Sequence, residues 1–314
     1  MKRLFVLIQA VVFCSLSLTA RTFGKGPYTV SQLAPGVFHI EDANLSNPAG
    51  LHTDAAGKTT GLNNCSDMYF VAGTDKCLLI DLSNQIKWDT SATRSLRWIV
   101  DSIASGRKLL ITVTHFHGDH TGMLPAFKDD PAVTFWVPRE EFIGMDLFPA
   151  ERTIAFGENA SLDLGGSIVI DSFEVPGHSP HSTIFFLRGK DLVFTGDAIG
   201  SGNGVWLFSY DSFLAYRESI CRLVSYISEP ANHIDAGRLI VYGGHYWQKG
   251  KMDRLTGQYI LDMKILIEKM EKGEIPAEAT PYNKYLDSSF RYGTATITWN
   301  RADALKYSGS KKNG

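Results

Sequence analysis

The sequence predicts a single α/β-type domain in which two sheets are covered by helices. Three observations carry that prediction. Short β-rich runs alternate with stretches whose apolar residues recur at helical spacing. No internal repeat, Pro-rich linker or long charge run divides the chain. The composition is that of an ordinary globular protein, 44% apolar and 20% charged over 314 residues, with ample material for a core.

The chain opens Met1-Lys2-Arg3 and then runs apolar from Leu4 to Leu18, broken only by Gln9 and short polar residues, with small residues near Ala20. A basic start, a short apolar centre and a small-residue end match a secretory signal. The run is short of the about 20 residues that a membrane span needs. Residues 1–20 are therefore expected to be removed, leaving residues 21–314 as one secreted or periplasmic domain. The competing reading is a buried N-terminal helix. Cys14 would mark a lipoprotein if its thiol were acylated, but Phe13 is bulky where such sites usually carry a small residue. Processing removes Lys2 and Arg3 and no acid, so 29 basic side chains would face 33 acidic ones, a net charge of −4.

Gly36 to Glu41 reads as a strand, and so do Asp67 to Ala72 and Cys77 to Asp81, joined as a hairpin through Gly73-Thr74-Asp75. Between the first two, the polar stretch Asp42 to Asn64 is too long for a simple connection and is expected to be a mobile loop beside a site. Leu96, Ile99, Val100 and Ile103 recur at helical spacing, and Lys108 to Thr114 follows as a buried strand. Further strands are expected at Val133–Val137, Ser167–Glu174, Thr183–Leu187, Leu192–Thr195 and Leu239–Tyr242. Phe213, Tyr216, Ile220, Leu223 and Ile227 share one face of a helix that starts near Asp211. Leu255, Tyr259, Met263, Leu266 and Met270 mark another. From Pro281 the chain reads as irregular, with one β-like run at Thr294–Trp299.

Several classes are set aside by composition. The near balance of 31 Lys+Arg against 33 Asp+Glu argues against a nucleic-acid partner. Four cysteines are too few for a disulfide scaffold. Without the leader three remain, Cys65, Cys77 and Cys221, so at least one thiol is free; all three are expected to be small buried residues.

The segment that carries chemistry is Thr114-His115-Phe116-His117-Gly118-Asp119-His120, directly after a predicted buried strand. Alternate residues of an extended segment point the same way, so His115 and His117 can reach one metal ion together. Asp119 and His120 follow Gly118, where the chain can turn, and can face a second ion. A His-rich surface loop would show the same four residues. However, three more candidate ligands follow predicted strands, each preceded by glycine: His178 in Pro176-Gly177-His178, Asp197 in Thr195-Gly196-Asp197 and His245 in Gly243-Gly244-His245. Five His and two Asp thus fall at the ends of successive strands.

With this set the sequence resembles the metallo-β-lactamase superfamily, from about Gly36 to Glu271, leaving residues 272–314 as a C-terminal extension. The resemblance implies an α/β (α+β) architecture, the αββα four-layer sandwich, with the metal site at one edge between the sheets. It implies that His115, His117 and His178 hold one metal ion, that Asp119, His120 and His245 hold a second, and that Asp197 bridges both. Imidazole and carboxylate donors suit two zinc ions, with iron or manganese as alternatives. His117 favours zinc, because an acidic residue commonly stands there in di-iron members.

The implied reaction is hydrolysis: a bridging hydroxide, available because metal-bound water reaches a pKa of about 7, attacks a carbonyl carbon. Asp119 would orient it and then help pass a proton. No nucleophilic Ser or Cys is required; Gly-x-Ser-x-Gly is absent, and Ser201 and Cys221 are more simply structural. Zinc β-lactamases generally lack a bridging Asp, whereas glyoxalase II-like thioesterases, lactonases and several esterases carry one. Asp197 therefore points to a small ester, thioester or lactone. The alternatives are a β-lactamase, an iron-dependent dioxygenase of the same superfamily, and a non-catalytic binding protein on this scaffold. His181 lines the pocket or lies in a surface loop; Trp206 and Phe208, after Gly200-Ser201-Gly202-Asn203-Gly204, wall a substrate or pack in the core. His39, His52 and His233 are expected to be ordinary.

Overall fold

In the computed structural model of the protein, residues 22–42, 51–53, 59–61, 65–86, 89–200, 204–245 and 255–310 are described. The expected leader, residues 1–20, and Ser201 lie outside them.

The first sheet has eight strands. Antiparallel β1 (Thr22–Lys25), β2 (Tyr28–Ala34) and β3 (Val37–Glu41) lead on, past a small hairpin of β4 (Leu51–Thr53) and β5 (Thr59–Gly61), to β6 (Met68–Ala72) and β7 (Lys76–Ile80). The hairpin falls inside the stretch expected to be a loop. From β7 the pairing turns parallel, through β8 (Lys108–Thr112), β9 (Thr134–Pro138) and β10 (Thr153–Phe156). A parallel neighbour needs a crossover, and α1 (Ala92–Ala104) makes the first one, burying Leu96, Ile99 and Val100.

The second sheet runs in the order β11 (Ser161–Asp163), β12 (Val169–Glu174), β13 (Thr183–Leu187), β14 (Leu192–Gly196), β16 (Ile240–Gly243) and β17 (Leu255–Thr256), with β15 (Val205–Trp206) belonging elsewhere. Alternation along the strands explains the layers, because successive side chains point to opposite faces. On β7, Leu78 and Ile80 enter a core shared with Phe185 and Leu187 of β13, while Cys77 and Leu79 enter one shared with α1. On β13, Ile184 and Phe186 pack instead with α3 (Tyr210–Ser228) and α4 (Gly257–Glu271). Each sheet is buried on both faces. The order is helix, sheet, sheet, helix: the αββα sandwich.

Three expectations are corrected. Leu255 is not in the helix; it pairs with Val241, and α4 starts at Gly257. The stretch after Pro281 is regular: β19 (Ser288–Tyr292) and β20 (Ala295–Trp299) form a hairpin between β18 (Glu278–Ala279) and β15, and α5 (Arg301–Ser310) follows. Its Trp299 stacks on Phe213 of α3 with ring centroids 4.1 Å apart. Cys65 and Cys77 are buried, but Cys221 is exposed. It lies on the outer side of α3, off the face that packs on the sheet.

Candidate metal centre

Strand direction gathers the candidate ligands. β12 and β14 are both antiparallel to β13, and β14 is parallel to β16, so all three end at one edge. Just beyond those ends stand His178, Asp197 and His245. Across the seam, β8 leads into His115 and His117, and the short helix α2 (Gly118–Thr121) carries Asp119 and His120. The first sheet therefore supplies four candidates and the second sheet three.

They form two adjoining groups, and within each the donor atoms lie within 4.8 Å of one another. In the first, His117 Nδ1 is 3.0 Å from both His115 Nε2 and His178 Nε2. Burial and the neighbouring imidazoles push the His115 pKa well down, and they hold His117 at about 4. Burial also lowers His178. The neutral imidazole, the form that coordinates a metal, is thus the form present. In the second group, His245 Nε2 is 3.3 Å from Asp119 Oδ2 and from Asp197 Oδ2, and His120 Nε2 is 3.5 Å from Asp197 Oδ1. Asp197 Oδ2 is also 3.6 Å from His178 Nε2. One carboxylate therefore touches both groups. Although burial opposes it, the His245 and His120 charges hold Asp197 well below the usual carboxylate range. Burial likewise opposes charge on His245, yet Asp197 and Asp119 raise it to about 10. A cation competes with those protons for the same lone pairs.

The residues fit divalent metal ions on two further counts. Among the described residues, buried His120 Nε2 and Asp197 Oδ1 face each other at 3.5 Å and neither makes a hydrogen bond, an arrangement that costs energy unless a ligand satisfies them. Space is also kept clear: a Cβ on Gly244 would lie 2.6 Å from Asp197 Oδ1 and 2.7 Å from His120 Cε1.

Four of the five candidate imidazoles are steered from behind, as metal-binding imidazoles generally are. His178 Nδ1 donates to the Trp206 carbonyl at 3.0 Å, and His245 Nδ1 to the Cys65 carbonyl at 2.7 Å. His115 Nδ1 meets Thr114 Oγ1 at 3.0 Å, and that hydroxyl donates in turn to Asp81. Asp81 Oδ2 also accepts from His120 Nδ1 at 2.8 Å, and Asp81 Oδ1 from the Thr114 amide at 2.7 Å. Sequence reasoning missed Asp81; its only signal is an acid at the end of an apolar strand. Glu141 was missed too. Buried, with its pKa raised by burial, it accepts from the Phe116 amide (3.0 Å) and the His181 amide (2.8 Å), tying together the two loops of the first group.

His181 itself lies outside both groups and contacts Glu174. Phe208 is 38% exposed, with its ring centroid 6.2 Å from that of His117 and 5.5 Å from that of His178. Trp206 turns aside to pack against Tyr282, with ring centroids 4.7 Å apart and the rings tilted by 44°. Of the two aromatics, Phe208 alone flanks the ligands. His233 is exposed, and the His52 side chain lies outside the described residues. His39 is not ordinary: it is buried against Asp67.

Comparison with known proteins agrees. Residues 66–223 match the family described as the metallo-beta-lactamase superfamily. The chain is 24% identical over 150 residues to the probable metallo-hydrolase YqgX of Bacillus subtilis, covering 44% of this chain and 67% of that one. Among solved structures, a metallo-beta-lactamase from Pontibacter korlensis superposes with a TM-score of 0.55 at 14% identity, covering 77% of this chain and 99% of its own. The metallo-beta-lactamase FIM-1 from Pseudomonas aeruginosa, in a mono-zinc form, gives 0.53 at 17%, covering 81% and 99%.

Proposed function

The chain belongs to the metallo-β-lactamase superfamily, a family of metallo-hydrolases, and on that premise we propose that it is a dinuclear zinc hydrolase of a small ester, thioester or lactone. The observation that carries the reading is Asp197, whose one carboxylate contacts both ligand groups. His115, His117 and His178 would hold one ion; Asp119, His120 and His245 would hold the other, with Asp197 shared. When bound, the ions supply Lewis acidity, bringing the pKa of coordinated water to about 7 and polarising the scissile carbonyl.

The chain's own residues supply the rest. Asp119 is the ligand-group acid most open to solvent, and despite its burial the hydrogen bond from His245 lowers its pKa. It accepts a proton from the attacking water and returns it to the leaving group. Asp81, Thr114 and the Trp206 and Cys65 carbonyls fix the imidazole tautomers, so no reorganisation is needed at the moment of reaction. Phe208 gives the acyl side of the substrate an apolar wall. No helix among the described residues is long and apolar enough to cross a membrane. The basic, apolar, then small order of residues 1–20 supports export and removal of that segment.

The test is metal analysis of the purified mature chain together with a panel of esters, thioesters, lactones and nitrocefin. Two zinc ions per chain and turnover of one carbonyl class are expected, and Asp119→Ala should abolish that turnover while the chain stays folded. Nitrocefin as the best substrate would overturn the substrate class. One iron per chain with oxygen consumption would overturn the reaction class.

A further inference from the structure

Behind the second ligand group, three alternate residues leading into β6 grip three consecutive residues at the end of β16. The Cys65 carbonyl accepts from His245 Nδ1 at 2.7 Å, the Asp67 amide donates to the Gly244 carbonyl at 2.6 Å, and the Tyr69 hydroxyl donates to the Gly243 carbonyl at 2.6 Å. Residues 65, 67 and 69 thus set the backbone that presents His245. Two of them are held in turn by one side chain. His39 pairs with Tyr69 across β3 and β6, and the two rings stack with centroids 5.3 Å apart. The His39 Nε2–H group donates to Asp67 Oδ1 at 2.7 Å, and both side chains are buried. Burial opposes charge on the His39 ring, but the Asp67 carboxylate holds its pKa above the ordinary value.

We propose that His39 is a positioning residue for His245, acting from outside the ligand groups through Asp67 and Tyr69. This rests on the metal-ligand reading above. The action is selective. The first group takes its outer support from Thr114, Glu141 and the Trp206 carbonyl, none of which belongs to the 65–69 segment. Loss of His39 therefore loosens His245 and leaves His115, His117 and His178 in place.

The experiment titrates zinc into the metal-stripped full chain by calorimetry, comparing wild type, His39→Gln, Tyr69→Phe and His245→Ala. Tyr69→Phe keeps the ring in the core and removes only the hydroxyl that grips Gly243, so it serves if His39→Gln does not fold. Outer partners of metal ligands are typically worth about 10- to 100-fold in affinity. A loss of about 10-fold in the weaker zinc equivalent, with the tighter one within twofold of wild type, is expected for both variants. Equal weakening of both equivalents, with a lower melting temperature in metal-free buffer, would show a merely structural role and overturn the inference. So would an unchanged second equivalent while His245→Ala loses it. A third zinc equivalent in wild type that His39→Gln abolishes would make His39, Glu41 and Asp67 a cation site themselves, and would overturn it as well. If His245→Ala still bound two equivalents, the ligand reading itself would fall, and this inference with it.

Discussion

At the scale of single residues, the centre is built on what may not be larger as much as on what must be charged. Gly244 has no side chain because Asp197 and His120 occupy that space. Gly244→Ala should therefore displace those two groups, abolishing hydrolysis and the second zinc equivalent while the first persists; full activity in a folded variant would show the space to be idle. His39 supplies a pH signature. Its folded-state pKa lies above its ordinary value of 6.5, so the pairing with Asp67 stabilises the fold fully below that value and is lost as pH rises through the raised one. The stability advantage of wild type over His39→Gln, measured by urea unfolding, should be largest in acid and narrow towards alkaline pH. The seven candidate ligands were legible in the sequence because four fall within six residues and the other three follow predicted strands beside glycine. Asp81 and Glu141 were not, since a lone acid beside an apolar run is chemically silent until its partners are known. The role of His39 was hidden for the same reason: Asp67 stands 28 residues away.

At the scale of elements, periodicity served best where one face alone is buried. The stripe of α1 and that of α3 stand out because their outer faces are polar. Periodicity misled at Leu255, whose spacing fits the helix that follows but whose backbone pairs with Val241. It gave no signal for α5, in which Tyr307 is the residue buried beside Phe213. That C-terminal segment is part of the core. Trp299 is fully buried against Phe213, and its Nε1 donates to the Ser209 carbonyl at 3.1 Å. Trp299→Ala should cost about 3–5 kcal/mol in denaturant unfolding. A loss under about 1 kcal/mol would mean that the hairpin and α5 are an appendage.

At the scale of the whole molecule, two β-rich layers meet face to face, and each was readable on its own more easily than their meeting. The alternation of Leu78 and Ile80 with Cys77 and Leu79 is visible in the sequence, but which set faces the other sheet is decided only by packing. The cations would bind donors from both layers, so they would add to the stability of the assembled state alone. Zinc at about 100 times its dissociation constant should raise unfolding free energy by ~2.7 kcal/mol, and chelation should return the melting temperature to the metal-free value. An unchanged melting temperature would mean that zinc does not bind the folded chain in preference to the unfolded one. That division of donors between layers has a consequence for the life of the chain. A chain still being synthesised would hold only an incomplete set of donors, so on the proposed reading its hydrolytic power would arrive last, when the two halves clasp.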